Sequence, residues 1–336
     1  MRRAGGLMEQ VAELGNLHRA MGRALAGRRQ SEEGRRFVED REAQLGRLVE
    51  ALASGTWRPG GYRRFVVRDP KVRVIHAAPF GDRVVHHAVM AVAGPWMEKG
   101  AQDRSFACRL GKGNRAAVRW AVRCSGARRW FLKLDVRKYF DSVDHAVLMG
   151  LLRRRFKDGR LLEWFARVVG SYETTPGKGL PIGTLTSQYL ANFYLDGLDR
   201  RIVEVLGCRH HARFMDDLVL WADDPGTLQG WLEDLRAWLG RERGLEWKGT
   251  PRPLPTRDGV PFLGYRILPG RVLLGRRARR RLRTRLLEVE ALHRRGEIDT
   301  AMLRRRASSL FSFTDAADCR PWRGRMLAAR GEGVDA

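Results

Sequence analysis

Two adjacent carboxylates sit at the crest of the most strand-like run in the chain, Arg213-Phe214-Met215-Asp216-Asp217-Leu218-Val219-Leu220-Trp221. Leu218 to Trp221 predict a buried strand, and His211 to Met215 can pair back against it. Asp216 and Asp217 then fall at a tight turn, presented together at a sheet edge. Such a pair suits a divalent cation, because Mg²⁺ takes carboxylate oxygens and leaves positions open for phosphates and water. Asp-Asp is also a common turn pair, and Asp223-Asp224-Pro225-Gly226 carries the Pro-Gly that marks one. What separates the two pairs is company. A two-metal phosphoryl-transfer site needs a further carboxylate from another element. Asp135 ends the apolar segment Phe131-Leu132-Lys133-Leu134-Asp135-Val136 just before a predicted helix start, so it is expected at the carboxyl end of a strand.

The surrounding chain is built for polyanions. Sixty-four Lys and Arg against 38 Asp and Glu give 336 residues a formal net charge of +26, a field that raises the encounter rate with nucleic acid. An anionic membrane surface is the competing partner. It is disfavoured because no apolar run approaches the ~20 residues needed to span a bilayer, and the basic start Met1-Arg2-Arg3 lacks the apolar core of a signal peptide. Cys108, Cys124, Cys208 and Cys319 show no Cys-x-x-Cys spacing and fit reduced thiols, so a cytoplasmic protein is expected.

Periodicity organises the rest. Residues 7–54 read as helical, with Leu14, Leu17, Met21 and Leu25 as one stripe and Leu45, Leu48, Val49 and Leu52 as another. A hairpin is expected from Tyr62 to Val67 and Val72 to His76, turned by Arg68-Asp69-Pro70-Lys71, then a helix over 82–98. The loop Ser105 to Asn114 is basic and glycine-punctuated, without the spacing of a P-loop. Asp141 and Ser142 read as caps of a helix running through Phe156, and His145 as a helix-surface residue. A loop over Gly177–Gln188 precedes a helix from Tyr189 to Leu206. Residues 226–243 form an amphipathic helix, and Leu245–Lys248 and Pro261–Ile267 read as short strands. From Arg276 to Arg306 an arginine-dense helix interleaves Leu282, Leu286, Leu287, Val289 and Leu292, giving one core face and one face suited to a phosphate backbone.

Taken in order, four motifs resemble the reverse transcriptases. They are Asp135 with Phe140 five residues on, Leu180-Pro181-Ile182-Gly183-x-x-x-Ser187-Gln188, Phe214-Met215-Asp216-Asp217 and Phe262-Leu263-Gly264-Tyr265. The match is closest to the enzymes of diversity-generating retroelements, which also look like group II intron and retron reverse transcriptases, and it extends from about Gly55 to Trp322. The resemblance implies an α+β right-hand polymerase. A helical extension would occupy residues 1–54, fingers 55–125, and a palm 126–268 whose antiparallel sheet carries the Asp-Asp hairpin, with a helical insertion around 145–180. A thumb of basic helices would occupy 269–336. No RNase H or His/Cys-rich nuclease module is readable after the thumb, so RNA removal and integration are expected from other proteins.

Motif by motif, the resemblance implies that Asp135, Asp216 and Asp217 are catalytic. With the backbone of Val136 they would hold two Mg²⁺ ions, for which Mn²⁺ could substitute. Lys71, Arg73 and Arg109 match positions that close on the incoming deoxynucleoside triphosphate, and Phe140 matches the aromatic gate against a 2′-hydroxyl. Phe262, Leu263, Gly264 and Tyr265 match the primer grip, while Lys248 lies near the general acid. Arg276, Arg277, Arg280 and Arg283 are the expected nucleic-acid contacts on the basic helix. Most relatives carry Gln where this chain has Ile182, and Pro where it has Gln188. The version here is typical of diversity-generating retroelements, which implies error-prone synthesis opposite template adenines. Template RNA, cDNA or primer, and a small basic accessory protein are the implied partners. A retron or phage-defence enzyme is the alternative within the class, and an idle RNA-binding, maturase-like protein the alternative outside it. Three intact carboxylates argue against the last, since clustered negative charge is only a cost to a polyanion binder.

Overall fold

A computed structural model describes residues 3–27, 31–68 and 72–331, with side chains through residue 326. The chain opens with four helices, α1 (Leu7–Ala12), α2 (Leu14–Leu25), α3 (Glu32–Glu39) and α4 (Arg41–Ala53). A hairpin of β1 (Arg63–Val67) and β2 (Arg73–Ala77) leads to α5 (Phe80–Glu98) and α6 (Asn114–Ala127). Strand β3 (Trp130–Asp135) precedes α7 (Tyr139–Ser142), α8 (His145–Arg155), α9 (Gly159–Gly170), α10 (Leu185–Tyr194) and α11 (Asp196–Arg200). Then come β4 (His211–Phe214), β5 (Asp217–Ala222), α12 (Pro225–Arg243), β6 (Leu254–Pro255), β7 (Val260–Phe262), β8 (Tyr265–Leu268) and β9 (Arg271–Leu274). The chain closes with α13 (Arg276–Arg294), α14 (Thr300–Ser312) and α15 (Arg320–Gly331).

These elements form two compact units. One comprises Met1–Arg109, Val136–Leu206 and Asp234–Lys248. Its centre is α5, whose Val84, Val85, Ala88, Val89 and Ala93 are wholly buried against α1, α2 and α10. Asn16 is buried with them because its amide donates to the carbonyls of Val11 and Ala88. Trp57 stacks on Trp164 with centroids 5.6 Å apart, and the His86 ring meets both edge-on. Burial lowers the His86 pKa to about 3, so the ring packs as a neutral group. Asp158 joins α1 to α9: one carboxylate oxygen accepts from Leu161 N at the start of α9, the other from Leu7 N and Met8 N at 2.7 and 3.0 Å.

The second unit comprises Leu110–Asp135, Gly207–Glu233 and Gly249–Ala336. Its four-stranded sheet has the order β4-β5-β3-β6 and a second sheet the order β7-β8-β9, with every pairing antiparallel. Alternation along β3 and β5 sends Leu132, Leu134, Leu218 and Leu220 to one face, where all four are buried. Helix α6 is tied to β4 by Trp120, whose indole N–H donates to the His211 carbonyl at 2.7 Å.

Several expectations need correction. Asp141 and Ser142 lie inside the short helix α7, and the cap of α8 is Asp144, whose carboxylate accepts from Val147 N. The loop before α10 ends at Thr184, whose hydroxyl caps the helix at Ser187 N, so Ser187 and Gln188 are helical. That helix does not run unbroken to Leu206; it turns at Leu195 and finishes in a π-helical turn over Arg201–Val205. Leu245–Lys248 is not a strand and makes only one bridge, Val136 to Trp247. The basic tail divides into α13 and α14 at Gly296, which has φ +74°. In α2 the buried stripe is Leu17, Ala20 and Ala24, with Leu14 exposed, and in α13 it is Ala278, Leu282 and Leu286, with Leu287 exposed. In both helices the face is chosen by what packs against it, which spacing alone leaves open.

Candidate active site

Strand register assembles the carboxylates. In the antiparallel pair β3–β5, Asp135 stands directly opposite Asp217, so both side chains leave the same face. Phe214 pairs with Asp217 to close the β4–β5 hairpin, leaving Met215 and Asp216 as its two turn residues. Met215 has φ +57° and Asp216 does not have positive φ, the pattern of a II′-type hairpin turn that ordinarily takes Gly first. A methionine there costs about 1–2 kcal/mol. Two other non-glycine residues with positive φ flank the motifs, Lys138 three residues after Asp135 and Leu263 in Phe262–Tyr265. Backbone strain of this kind collects where geometry serves a site.

Lys133, two residues before Asp135, shares its face and was not singled out from sequence. Its ammonium pairs with Asp217 Oδ1 and lies 5.7 Å from the Phe262 ring centroid, tying β3 to β5 and to the β7–β8 turn. Burial pushes the Asp217 carboxyl above the usual range. The Lys133 charge and hydrogen bond oppose that rise, and the neighbouring Asp135 charge adds to it. Period-2 spacing from Asp135 was the signal that could have flagged Lys133.

The Phe262–Tyr265 motif makes a two-residue turn with both central residues at positive φ, Leu263 at +49° and Gly264 at +85°. A Cβ on Gly264 would stand 3.1 Å from Phe313. Tyr265 stacks on Phe313 at 4.9 Å and donates its hydroxyl to the Phe313 carbonyl, fixing this turn against the end of α14. On α13, Arg276, Arg277, Arg280 and Arg283 are all exposed, opposite the buried Ala278–Leu282–Leu286 stripe.

The remaining candidate residues belong to the other unit. Leu180 N donates to the Phe140 carbonyl and His76 N to the Ile182 carbonyl, both at 2.8 Å, so the Leu180–Gly183 segment is held between α7 and β2. Gly183 allows this approach, since a Cβ there would meet Ile75 Cγ2 at 2.6 Å. Phe140 and Ile182 are half-buried, and Arg73 is exposed at the start of β2. Gln188 is exposed and accepts from the Cys108 thiol at 3.4 Å. Arg109 is committed to its own loop, donating to the carbonyls of Gln102 and Ser105 and pairing with Glu98 at 3.5 Å. Val136 is buried beside Trp247, Lys248 is exposed on the loop that follows, and Lys71 lies outside the described residues.

The donor set limits what metal could bind. Among the described residues no three His, Cys, Asp or Glu side chains are gathered into a ready-made cation site. Asp135 and Asp216 fit instead the manner of Mg²⁺, which takes one or two carboxylates and completes its shell with substrate phosphates and water. The described residues also include no helix long and apolar enough to cross a membrane.

The chain is 26% identical over 174 residues to the group II intron-encoded protein LtrA of Lactococcus lactis subsp. cremoris, covering 49% of this chain and 29% of that protein. It is 27% identical over 170 residues to protein YkfC of Escherichia coli K12, covering 47% and 45%. Against the nuclear intron maturase 4, mitochondrial, of Arabidopsis thaliana it is 25% identical over 205 residues, covering 59% and 25%. The chain thus spans less than half the length of these curated relatives. A solved structure of apo telomerase from Candida tropicalis matches 69% of this chain and 53% of that one, at 9% identity and a TM-score of 0.49. Residues 68–267 match the family model described as reverse transcriptase (RNA-dependent DNA polymerase), more than half of the chain. With its helices and antiparallel sheets in the α+β right-hand polymerase class, the chain belongs to the reverse transcriptase family.

Proposed function

We propose that this chain is an RNA-directed DNA polymerase that copies a template RNA into cDNA with errors concentrated at template adenines, as in a diversity-generating retroelement. The observation that supports the polymerase is the register pairing Asp135 with Asp217 beside a strained turn that carries Asp216. When two Mg²⁺ ions are bound, they lower the pKa of the primer 3′-hydroxyl and stabilise charge on the attacking and leaving oxygens. Asp135 and Asp216 would hold them, while Asp217, kept on Lys133, orients the pair. Phe140 crowds a 2′-hydroxyl and so favours deoxynucleotides. Ile182 gives apolar contact to the nucleotide but no amide to check its sugar, which loosens geometric discrimination. The Phe262–Tyr265 turn grips the primer, and the exposed arginines of α13 follow the phosphate backbone. In this reading residues 55–125 serve as fingers, 126–268 as palm and 269–336 as thumb, and a small basic protein accompanies the enzyme.

The likeness to a group II intron-encoded protein and to a nuclear intron maturase supports a second reading, a polymerase of ordinary fidelity in an intron, retron or defence system. Primer extension on an RNA template with Mg²⁺, comparing wild type with Asp216→Ala and sequencing the cDNA, separates the two. Wild-type-only synthesis with errors at template adenines supports the first. Synthesis with rare, scattered errors supports the second. Equal synthesis by Asp216→Ala refutes the catalytic assignment, and silence with native RNA and accessory protein present supports a binding protein.

A further inference from the structure

Away from the carboxylate hairpin, the ends of three helices in one unit enclose a cavity of about 300 Å³. Arg154 and Arg155 at the end of α8, Arg200 at the end of α11 and Arg243 at the end of α12 line it, together with Asp196 and Glu242. Four guanidiniums against two carboxylates leave an excess of two positive charges. Basic residues at helix C-termini are common because they complement the helix dipole, and for Arg154 and Arg200, both exposed, that would suffice.

Arg243 is different. It is only 6% exposed. Its Nε donates to the Tyr194 carbonyl and its Nη1 to the Glu242 carbonyl, both at 2.8 Å. The guanidinium lies 4.8 Å from the Trp238 ring centroid and 5.6 Å from that of Tyr194. Its Nη2 has no hydrogen-bond partner among the described residues. It stands 2.6 Å from where a Cβ on Gly197 would be, and Gly197 also lines the cavity. The missing side chain at 197 therefore leaves this donor facing the cavity and open to an incoming acceptor. A guanidinium donor held in place on its other side gives an oxyanion a charge-assisted hydrogen bond with little further ordering.

We propose that this cavity is a phosphate-binding site for the backbone of the template RNA, with Nη2 of Arg243 donating to the phosphate and Arg154 and Arg200 closing on it at the mouth. The planar guanidinium fork matches phosphate oxygens. A base has no ring to stack on, since Arg155 covers Phe193 at 5.6 Å and Arg243 covers Trp238 and Tyr194. The contact is therefore to backbone and independent of sequence. The inference rests on RNA being the partner, as the polymerase reading holds, but it concerns a site remote in chemistry from the carboxylates.

The test is titration of the full chain with a labelled single-stranded RNA of mixed sequence at several NaCl concentrations. The variants are Arg154→Gln/Arg200→Gln, Gly197→Ala, and an Arg35→Gln/Arg36→Gln control of exposed arginines elsewhere in the same unit. Expected are an affinity loss of about tenfold and a slope of log K against log salt shallower by about 0.7, the value for one lost single-strand phosphate contact. These appear in the first two variants and not in the control. An equal loss in the control overturns the site in favour of a diffuse basic field. An unchanged slope in a rim variant whose melting temperature is unaltered overturns it as well. Loss of dTTP binding with RNA binding intact would reassign the cavity to free nucleotide and overturn the RNA proposal. Wild type that binds no RNA overturns the polymerase reading itself, and this one with it.

Discussion

Replacing Lys133 with Met tests whether the carboxylate geometry is set by the strand that carries Asp135. Met keeps most of the apolar stem against Phe262 but removes the charge that holds Asp217. Breaking a fully buried ion pair from one side costs about 3–5 kcal/mol, and an exposed pair about 0–1. The Lys133 and Asp217 side chains are 27% and 26% exposed, which places the expected loss between these limits, at about 2 kcal/mol. The lost cation–π contact with Phe262 adds about 0.5–1 kcal/mol. At roughly 2–4 °C per kcal/mol for a body of this size, the melting temperature should fall by about 5–12 °C. A double-mutant cycle with Asp217→Asn isolates the pair, because the double variant should recover about 1.5–2 kcal/mol of the summed single losses. Mg²⁺ should raise the melting temperature of Lys133→Met at a lower concentration than that of wild type, because the cation then meets carboxylates with no ammonium among them. A coupling below about 0.5 kcal/mol would refute the reasoning and make Lys133 a passive neighbour.

Three further outcomes follow from the same structure. In Asp158, burial raises the carboxyl pKa but the N–H donors of Met8, Leu161 and Leu7 outweigh it and hold it below the usual range. Its stabilisation is therefore full above the unfolded value of ~3.9 and lost as pH falls through the depressed folded value. Asp158→Asn should cost about 1–3 kcal/mol at pH 7 and flatten the acid limb of a denaturation profile; an unchanged acid limb contradicts this. Gly264→Ala, which forces a Cβ into positive φ and against Phe313, should lower stability by about 1–3 kcal/mol, read by urea unfolding, with no gain at any salt. Ile182→Gln should reduce errors opposite template adenines in sequenced cDNA while leaving RNA affinity unchanged; an unaltered error spectrum would detach residue 182 from fidelity.

Local patterning made much of this chain readable in advance. Leu218 to Trp221 form a strand because four bulky apolar residues favour a buried extended run, and Asp216 with Asp217 fall at its start because nothing else in the run can face solvent. The amphipathic helix after Asp224 begins where Asp-Pro-Gly cannot continue a strand, and Asp224 caps it by accepting from Thr227 N. What the sequence could not determine depends on partners distant along the chain. Lys133 and Asp217 are 84 positions apart, and only the β3–β5 register puts them on one face. Trp247 has strand-forming neighbours but lacks a partner strand, so it makes one bridge and no more. Arg109 and Arg243 look alike in sequence as two positive charges, yet one is used to close its own loop and the other packs on Trp238 and Tyr194 with Nη2 facing a cavity. Propensity and period act within a few residues, whereas register, burial and the direction of a guanidinium are fixed only when segments far apart in sequence pack together.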